Sequence, residues 1–257
     1  MEQRLHIVYN AGIPGCQLDR DRKHEAGNKT APKSQSAEIR FWPFILSPTG
    51  RWPRLLIPMP RAQEVDQVAP GLSLWQAYDK TAKADLFSTA LETPAGIYLI
   101  DPIPIDFRAQ RKVSGIFVTN VNHTRAVSQF ARMFRAPIFV HAELQGSVDF
   151  PNATGVQDGQ SFSKGLTGIA IDGGPAGEMA LHYDDDGGTV VLGDALINFE
   201  PHGFGLLPAK YCRDARMMRR SLGKLLDYAF DRMLFAHGTP ILSGARARLE
   251  QLLRTIR

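Results

Sequence analysis

From Gln63 onward the chain is a succession of short apolar runs cut by polar or glycine-bearing junctions, and this rhythm allows only internal strands and one-sided helices. Leu72 to Tyr78 reads as a strand. Ala84 to Thr93 and Gly96 to Asp101 read as two more, turning at Pro94-Ala95-Gly96, so the body opens as a β-meander. Gly115 to Thr119 is a buried strand by its composition, Ala126 to Arg135 sets Phe130, Met133 and Phe134 at helical spacing, and Pro137 to His141 is strand-like again. That order is β-α-β. Glu178 to Tyr183 and Thr189 to Leu192 flank Asp184-Asp185-Asp186-Gly187-Gly188, a hairpin turn in which glycine supplies the positive φ. The three aspartates read as a solvated turn, because they lack the spacing of a calcium loop. Toward the end, Ala209 to Phe230 places Met217, Met218, Leu222, Leu225, Leu226 and Phe230 on one stripe, and Ala245 to Ile256 does the same with Leu249, Leu252, Leu253 and Ile256. Two amphipathic helices are predicted there, with Met233 to Ala236 a short strand between them.

Residues 1–60 follow a different rule. They show no sustained period and carry a polar stretch from Asp19 to Glu38 and seven prolines, so an irregular or disordered extension is expected, followed by one domain over 61–257. The extension also holds the charge: nine of the 30 Lys/Arg and five of the 26 Asp/Glu fall within it, a surplus equal to the net charge of +4. The body is therefore neutral and offers no broad cationic face, which argues against nucleic acid as a partner. No apolar run has the roughly 18 to 20 residues needed to cross a bilayer, and Met1 to Leu5 lacks a secretion signal, so no membrane partner and a cytoplasmic location are expected. Cys16 and Cys212 stand far apart outside any zinc pattern and read as free thiols.

Five junctions in order resemble the metallo-β-lactamase superfamily over about residues 62–257: Ile97-Tyr-Leu-Ile-Asp101-Pro102, Phe117-Val-Thr-Asn-Val-Asn-His-Thr-Arg125, Ala136-Pro-Ile-Phe-Val-His141, Val190-Val-Leu-Gly-Asp194-Ala-Leu196 and Phe235-Ala-His237-Gly238. The resemblance implies an α/β fold, a four-layer αβ/βα sandwich of two mixed β-sheets with helices on the outer faces. It also implies strand ends that present ligands for one or two metal ions, usually zinc. Imidazole and carboxylate suit such an ion, and an open coordination position lets water ionise near neutral pH.

Laid on the family's His-x-His-x-Asp-His cluster, Asn120 and Asn122 take the first two histidine places, Thr124 the aspartate place and Arg125 the last histidine place. Gly174 falls where a further histidine is expected. Asp194 and His237 match the bridging aspartate and the final histidine, so two of seven ligand places survive. The resemblance thus implies a divergent relative without an intact binuclear centre, a small-molecule-binding or regulatory protein needing no cofactor, its pocket lined by Asn120, Asn122, His123, Arg125, Asp194 and His237. The alternative is a hydrolase of esters, thioesters or lactones that keeps one divalent ion, zinc or manganese, on Asp194 and His237 with His123 or an Asn oxygen. A body serving only as an interaction scaffold is a third reading. The bland readings stand beside these: Asp194 as a turn cap or salt-bridge partner, His237 hydrogen-bonded to a loop, His123 pointing into packing, His141 in a supporting role. Arg125 is expected to pair with Asp194, supplying the charge of a missing ion. Ser161 and Ser163 lie in no Gly-x-Ser-x-Gly elbow, and Gly173-Gly174 and Gly203-Phe-Gly205 lack the spacing of a phosphate loop.

Because family-like sequence starts just after Met59, translation is expected to begin there. Intact-mass measurement of protein made from its native message should show a dominant species starting at Met59, and a dominant full-length species contradicts this.

Overall fold

The computed structural model describes residues 59–147, 149, 152–199 and 203–255, so the expected irregular extension up to residue 58, with Cys16, lies outside the described residues. The first sheet is mixed and contains β1 (Asp66–Ala69), β2 (Leu72–Asp79), β3 (Ala84–Thr93), β4 (Gly96–Ile100), β5 (Val113–Val118), β6 (Ile138–His141) and β7 (Thr154–Val156), in that spatial order. Its first four strands pair antiparallel, and β4 through β7 pair parallel. The parallel step from β5 to β6 needs a crossover, which α1 (Val127–Phe134) supplies. The second sheet contains β8 (Gln160–Ser163), β9 (Leu166–Ala170), β10 (Met179–Tyr183), β11 (Thr189–Leu192) and β14 (Arg232–Phe235), ordered β14-β11-β10-β9-β8. Between β11 and β14 come a hairpin of β12 (Leu196–Phe199) and β13 (Gly203–Leu206) and then α2 (Ala215–Leu222); α3 (Ala245–Thr255) closes the chain.

Strand side chains alternate between faces, and here both faces are apolar. In the first sheet Ile97, Leu99, Ile116 and Val118 pack with Val127 and Phe130 of α1. Their neighbours Tyr98, Ile100 and Phe117 turn the other way and meet Met179, Leu181, Val191 and Leu234 of the second sheet. The opposite face of that second sheet carries Ala180, Val190, Leu192, Met233 and Phe235, which pack against Met218, Leu222 and Leu249 of the helices. Three apolar seams between successive layers are the mark of a four-layer sandwich.

Two details differ from the sequence reading. The stretch from Ala209 to Phe230 is not one helix: a single 3₁₀ turn at Ala209–Tyr211 precedes α2, and a second at Gly223–Asp227 follows it. Asp214 fixes the restart, its Oδ1 accepting the Arg216 and Met217 amides at 2.9 Å, and its capping geometry prevents a helix from running through. The apolar stripes are also narrower than their spacing suggests, since Met133 and Met217 are exposed while Phe130 and Met218 are buried. Strands β1, β7, β8, β9, β12 and β13 carry no strong period of their own and escape a sequence reading.

The two sheets are joined where the chain just past β14 meets β3. The Phe87 amide in β3 donates to the carbonyl of Ala236 just past β14, and Leu86 bridges to His237. Arg125 locks this junction: its guanidinium donates to the carbonyls of Phe87 at 2.5 Å, Asp101 at 3.0 Å and Ala236 at 3.3 Å. The residue holds an unfavourable left-handed backbone, φ 31°, to do so. Replacing Arg125 with Met should remove one donor from each of three carbonyls, of which Asp101 keeps the Ser88 hydroxyl and Ala236 the Phe87 amide, and cost roughly 3 kcal/mol of folding stability, on the scale of a charged hydrogen bond. Urea unfolding reads this directly, and an unchanged midpoint contradicts the clasp.

Candidate metal centre

The parallel pairs β4–β5 and β11–β14 bring four chain segments out at one rim, because parallel strands end on the same side. Asp101 follows β4, the Thr119–Arg125 loop follows β5, Asp194 follows β11 and His237 follows β14. Glu178 arrives from the opposite direction, immediately before β10. Asp101, Thr119, Asn120, His123, Glu178, Asp194 and His237 are all buried, none more than 5% exposed.

His123 is held by its Nδ1. That nitrogen lies 2.9 Å from Asp101 Oδ2 and 2.8 Å from Thr119 Oγ1. The Thr119 hydroxyl donates to the same Asp101 oxygen at 2.5 Å, and the Thr119 amide donates to Asp101 Oδ1 at 2.9 Å. An ionised carboxylate can only accept, so Nδ1 carries the hydrogen and Nε2 is turned to the far side of the ring. His237 is arranged alike: Nδ1 lies 3.2 Å from the Asp85 carbonyl, which can only accept, and this again leaves Nε2 facing inward. Both Nε2 atoms point at one oxygen, Asp194 Oδ1, at 3.1 Å from His123 and 3.6 Å from His237. The ring centroids are 5.4 Å apart.

Close approach is not the same as bonding. His123 Nε2 and Asp194 Oδ1 are buried, yet neither has a hydrogen-bond partner, because their 3.1 Å separation lacks hydrogen-bond alignment. Orphaned buried polar atoms are uncommon and call for an unseen partner. His123, Asp194 and His237 each offer one donor atom within 4.8 Å of the others, a spacing suited to a shared metal ion. The other oxygen of Asp194 is fully engaged, accepting from Asn120 Nδ2 at 3.1 Å and Asn122 Nδ2 at 3.3 Å.

Electrostatics follow from that packing. Burial pushes the His123 imidazole down, but the carboxylates of Asp194 and Asp101 outweigh it and raise the ring to about 9. Burial likewise opposes ionisation of Asp101 and Asp194, and His123 overcomes it and holds both carboxyls below their ordinary value. His237 is taken down to about 3 by burial, with Asp194 only partly compensating. Glu178 goes up to about 8, through burial first and the nearby Asp194 charge second.

The residues read from the sequence come together unevenly. Asn120, Asn122, His123, Asp194 and His237 share the cluster. Arg125 does not pair with Asp194, and this expectation is corrected: its guanidinium is taken up by the three carbonyls of the sheet junction. Thr124 contributes its carbonyl to the start of α1, accepting the Val127 amide, and His141 Nδ1 accepts the Glu143 amide in a local turn. Sequence reasoning gave Asp101, Thr119 and Glu178 no role. Glu178 had a usable signal, a lone carboxylate at the mouth of the wholly buried strand Met179–Tyr183. A Cβ on Gly174 would come within 3.0 Å of the Glu178 side chain, so glutamate occupies the space beside the empty histidine place.

The strand ends of a four-layer αβ/βα sandwich thus gather two imidazoles and a carboxylate, donors of the kind divalent metal ions take. The chain belongs to the metallo-β-lactamase superfamily, whose family description matches residues 66–256. Solved structures agree on the fold. A metallo-β-lactamase from Pontibacter korlensis is 14% identical with a TM-score of 0.60, covering 76% of this chain and 99% of its own. A metallo-β-lactamase family protein from Thermus thermophilus is 20% identical with a TM-score of 0.54, covering 74% and 80%. A β-lactamase domain protein from Burkholderia ambifaria is 17% identical with a TM-score of 0.52, covering 77% and 78%. No curated protein matches the chain. Among the described residues no helix is long and apolar enough to cross a membrane.

The shifted groups give the ion-free protein a distinctive pH response. His123 is raised from 6.5 to about 9, so its stabilising contribution is complete below 6.5 and disappears as pH climbs through 9. Glu178, raised from 4.5 to about 8, acts in the same direction and is lost by the same alkaline range. Chelator-treated protein should therefore unfold at lower urea at pH 9 than at pH 6.5, and a flat or rising midpoint contradicts the assignment.

Proposed function

We propose that this chain is a metal-dependent hydrolase built around one divalent ion, held by His123 Nε2, Asp194 Oδ1 and His237 Nε2, and acting on an ester, thioester or lactone. The observation that carries this reading is the convergence of two imidazoles, each tied at Nδ1, on one carboxylate oxygen that lacks a hydrogen-bond donor. Metal-binding histidines are oriented in this way, with the second ring nitrogen donating to a carboxylate or a backbone carbonyl. Two imidazoles and a carboxylate suit zinc or manganese, and three protein ligands are the number found where a coordination position stays open to water; closed structural zinc sites take four.

A divalent ion there would supply Lewis acidity and bring water toward ionisation near neutral pH. The chain's own residues do the positioning. Asp101 and Thr119 fix the His123 tautomer and ring plane, the Asp85 carbonyl fixes His237, and Asn120 and Asn122 hold Asp194 by its Oδ2 so that Oδ1 faces the imidazoles. The position of His123 favours this reading over the ion-free binder expected from the family's ligand places alone. It stands one position off the family pattern and supplies the third donor.

Untagged protein should carry close to one equivalent of zinc or manganese, and Asp194→Ala should lose it, with hydrolysis of an ester, thioester or lactone falling at least tenfold. Asp101→Asn should retain the fold but bind the ion on the order of 10 to 100 times more weakly, the usual cost of removing a carboxylate that orients a metal-binding histidine. Protein that stays metal-free in excess zinc and manganese defeats the proposal. A bound ion with no turnover on any of the three ester classes returns the chain to the role of a binding or regulatory relative.

A further inference from the structure

Beside the proposed ion lie two buried carboxyl groups that face a common point. Glu178 is 2% exposed and Asp194 1%. Two such groups in a low-dielectric interior need a proton, a cation or a donor between them. In a binuclear centre that role would fall to a second ion. Here the Asn120 side chain takes it: Nδ2 donates one hydrogen to Glu178 Oε2 at 2.7 Å and the other to Asp194 Oδ2 at 3.1 Å. Its own Oδ1 accepts the Asn122 amide at 2.9 Å, which fixes which end of the side-chain amide points at the carboxyls. The remaining Glu178 oxygen accepts the Ala195 amide at 2.9 Å.

We infer that Asn120 is the positioning residue that limits this centre to one ion, its side-chain amide occupying the point between Glu178 and Asp194 where a second cation would have to sit. The inference builds on the one-ion reading and adds to it the reason for the stoichiometry. Every polar atom on this side of Asp194 has a partner, and the orphaned atoms, His123 Nε2 and Asp194 Oδ1, both lie on the other side. Space points the same way. A Cβ added to Gly193 would lie 2.7 Å from Thr119 Oγ1, 2.9 Å from Asn120 Nδ2 and 2.9 Å from Glu178 Oε1, so the Gly193 backbone packs directly against the network.

The test changes the donor and counts ions. Asn120→Asp replaces the amide with a third carboxylate and leaves the point with no donor, so a second equivalent of Mn²⁺ should bind. It should be visible as a doubled stoichiometry in native mass spectrometry and as spin coupling between neighbouring ions in electron paramagnetic resonance. Adding Glu178→Gln to that variant restores an amide at the same point and should return it to one fewer ion. Wild-type protein and Glu178→Gln alone should each take one equivalent. A folded Asn120→Asp protein with the wild-type count overturns the inference. So does a wild-type protein that binds two ions and loses one on Glu178→Gln, because Glu178 is then a ligand; this comparison decides the matter even if Asn120→Asp does not fold. A wild-type protein with no ion and an Asn120→Asp variant with one would support the role of Asn120 while removing the one-ion reading.

Discussion

The carboxylate of Asp194 is divided between two environments, and the rest of the rim is organised around that division. One oxygen receives the side-chain amides of Asn120 and Asn122; the other faces two imidazoles and receives no hydrogen bond. A charge with less than 2% of its surface exposed survives in a protein interior only when its surroundings are arranged for it. The arrangement is expensive in backbone terms as well, since Asp101 and Arg125 both adopt positive φ, at 46° and 31°. Strain of this kind is held by surrounding structure, here by the Thr119 bonds to Asp101 and by the three carbonyls around Arg125.

The fold makes that arrangement possible through strand direction. β4 and β5 run parallel, as do β11 and β14, so the residues just after them emerge together without any long loop having to search for its place. Sheet-to-sheet packing through Tyr98, Phe117, Met179, Leu181 and Leu234 fixes the separation of the two rims. Arg125 connects this scaffold to the site. Its guanidinium binds the carbonyl of Asp101, whose carboxylate orients His123, and the carbonyl of Ala236, the residue before His237. A side chain in a family ligand place has thus become a structural clasp that sets the position of two donors.

Much of this was legible in the sequence, for identifiable reasons. Strands β2 to β6, β10, β11 and β14 hold most of the buried apolar residues of the sheets and end at sharp junctions, so composition marks them clearly. The short strands β7, β8 and β9 owe their pairing to neighbours rather than to their own residues, and the break before α2 depends on one capping aspartate. In the site, Asp194 and His237 could be read because each follows a recognisable strand. His123 was ambiguous, since nothing in Asn122-His123-Thr124 says which way the ring points; that depends on Asp101, more than 20 residues away. Glu178 was invisible to a search for missing histidines, because it fills a neighbouring place with different chemistry.

One ion held by two histidines and one aspartate oxygen, with a side-chain amide where a second ion would be, has a crystallographic signature. A zinc-soaked crystal measured at the zinc absorption edge tests it most directly. The predicted result is a single anomalous peak about 2.0 to 2.2 Å from His123 Nε2, Asp194 Oδ1 and His237 Nε2, the usual range for zinc with nitrogen and oxygen ligands. A second peak between Glu178 and Asp194, or no peak among the three donors, contradicts it.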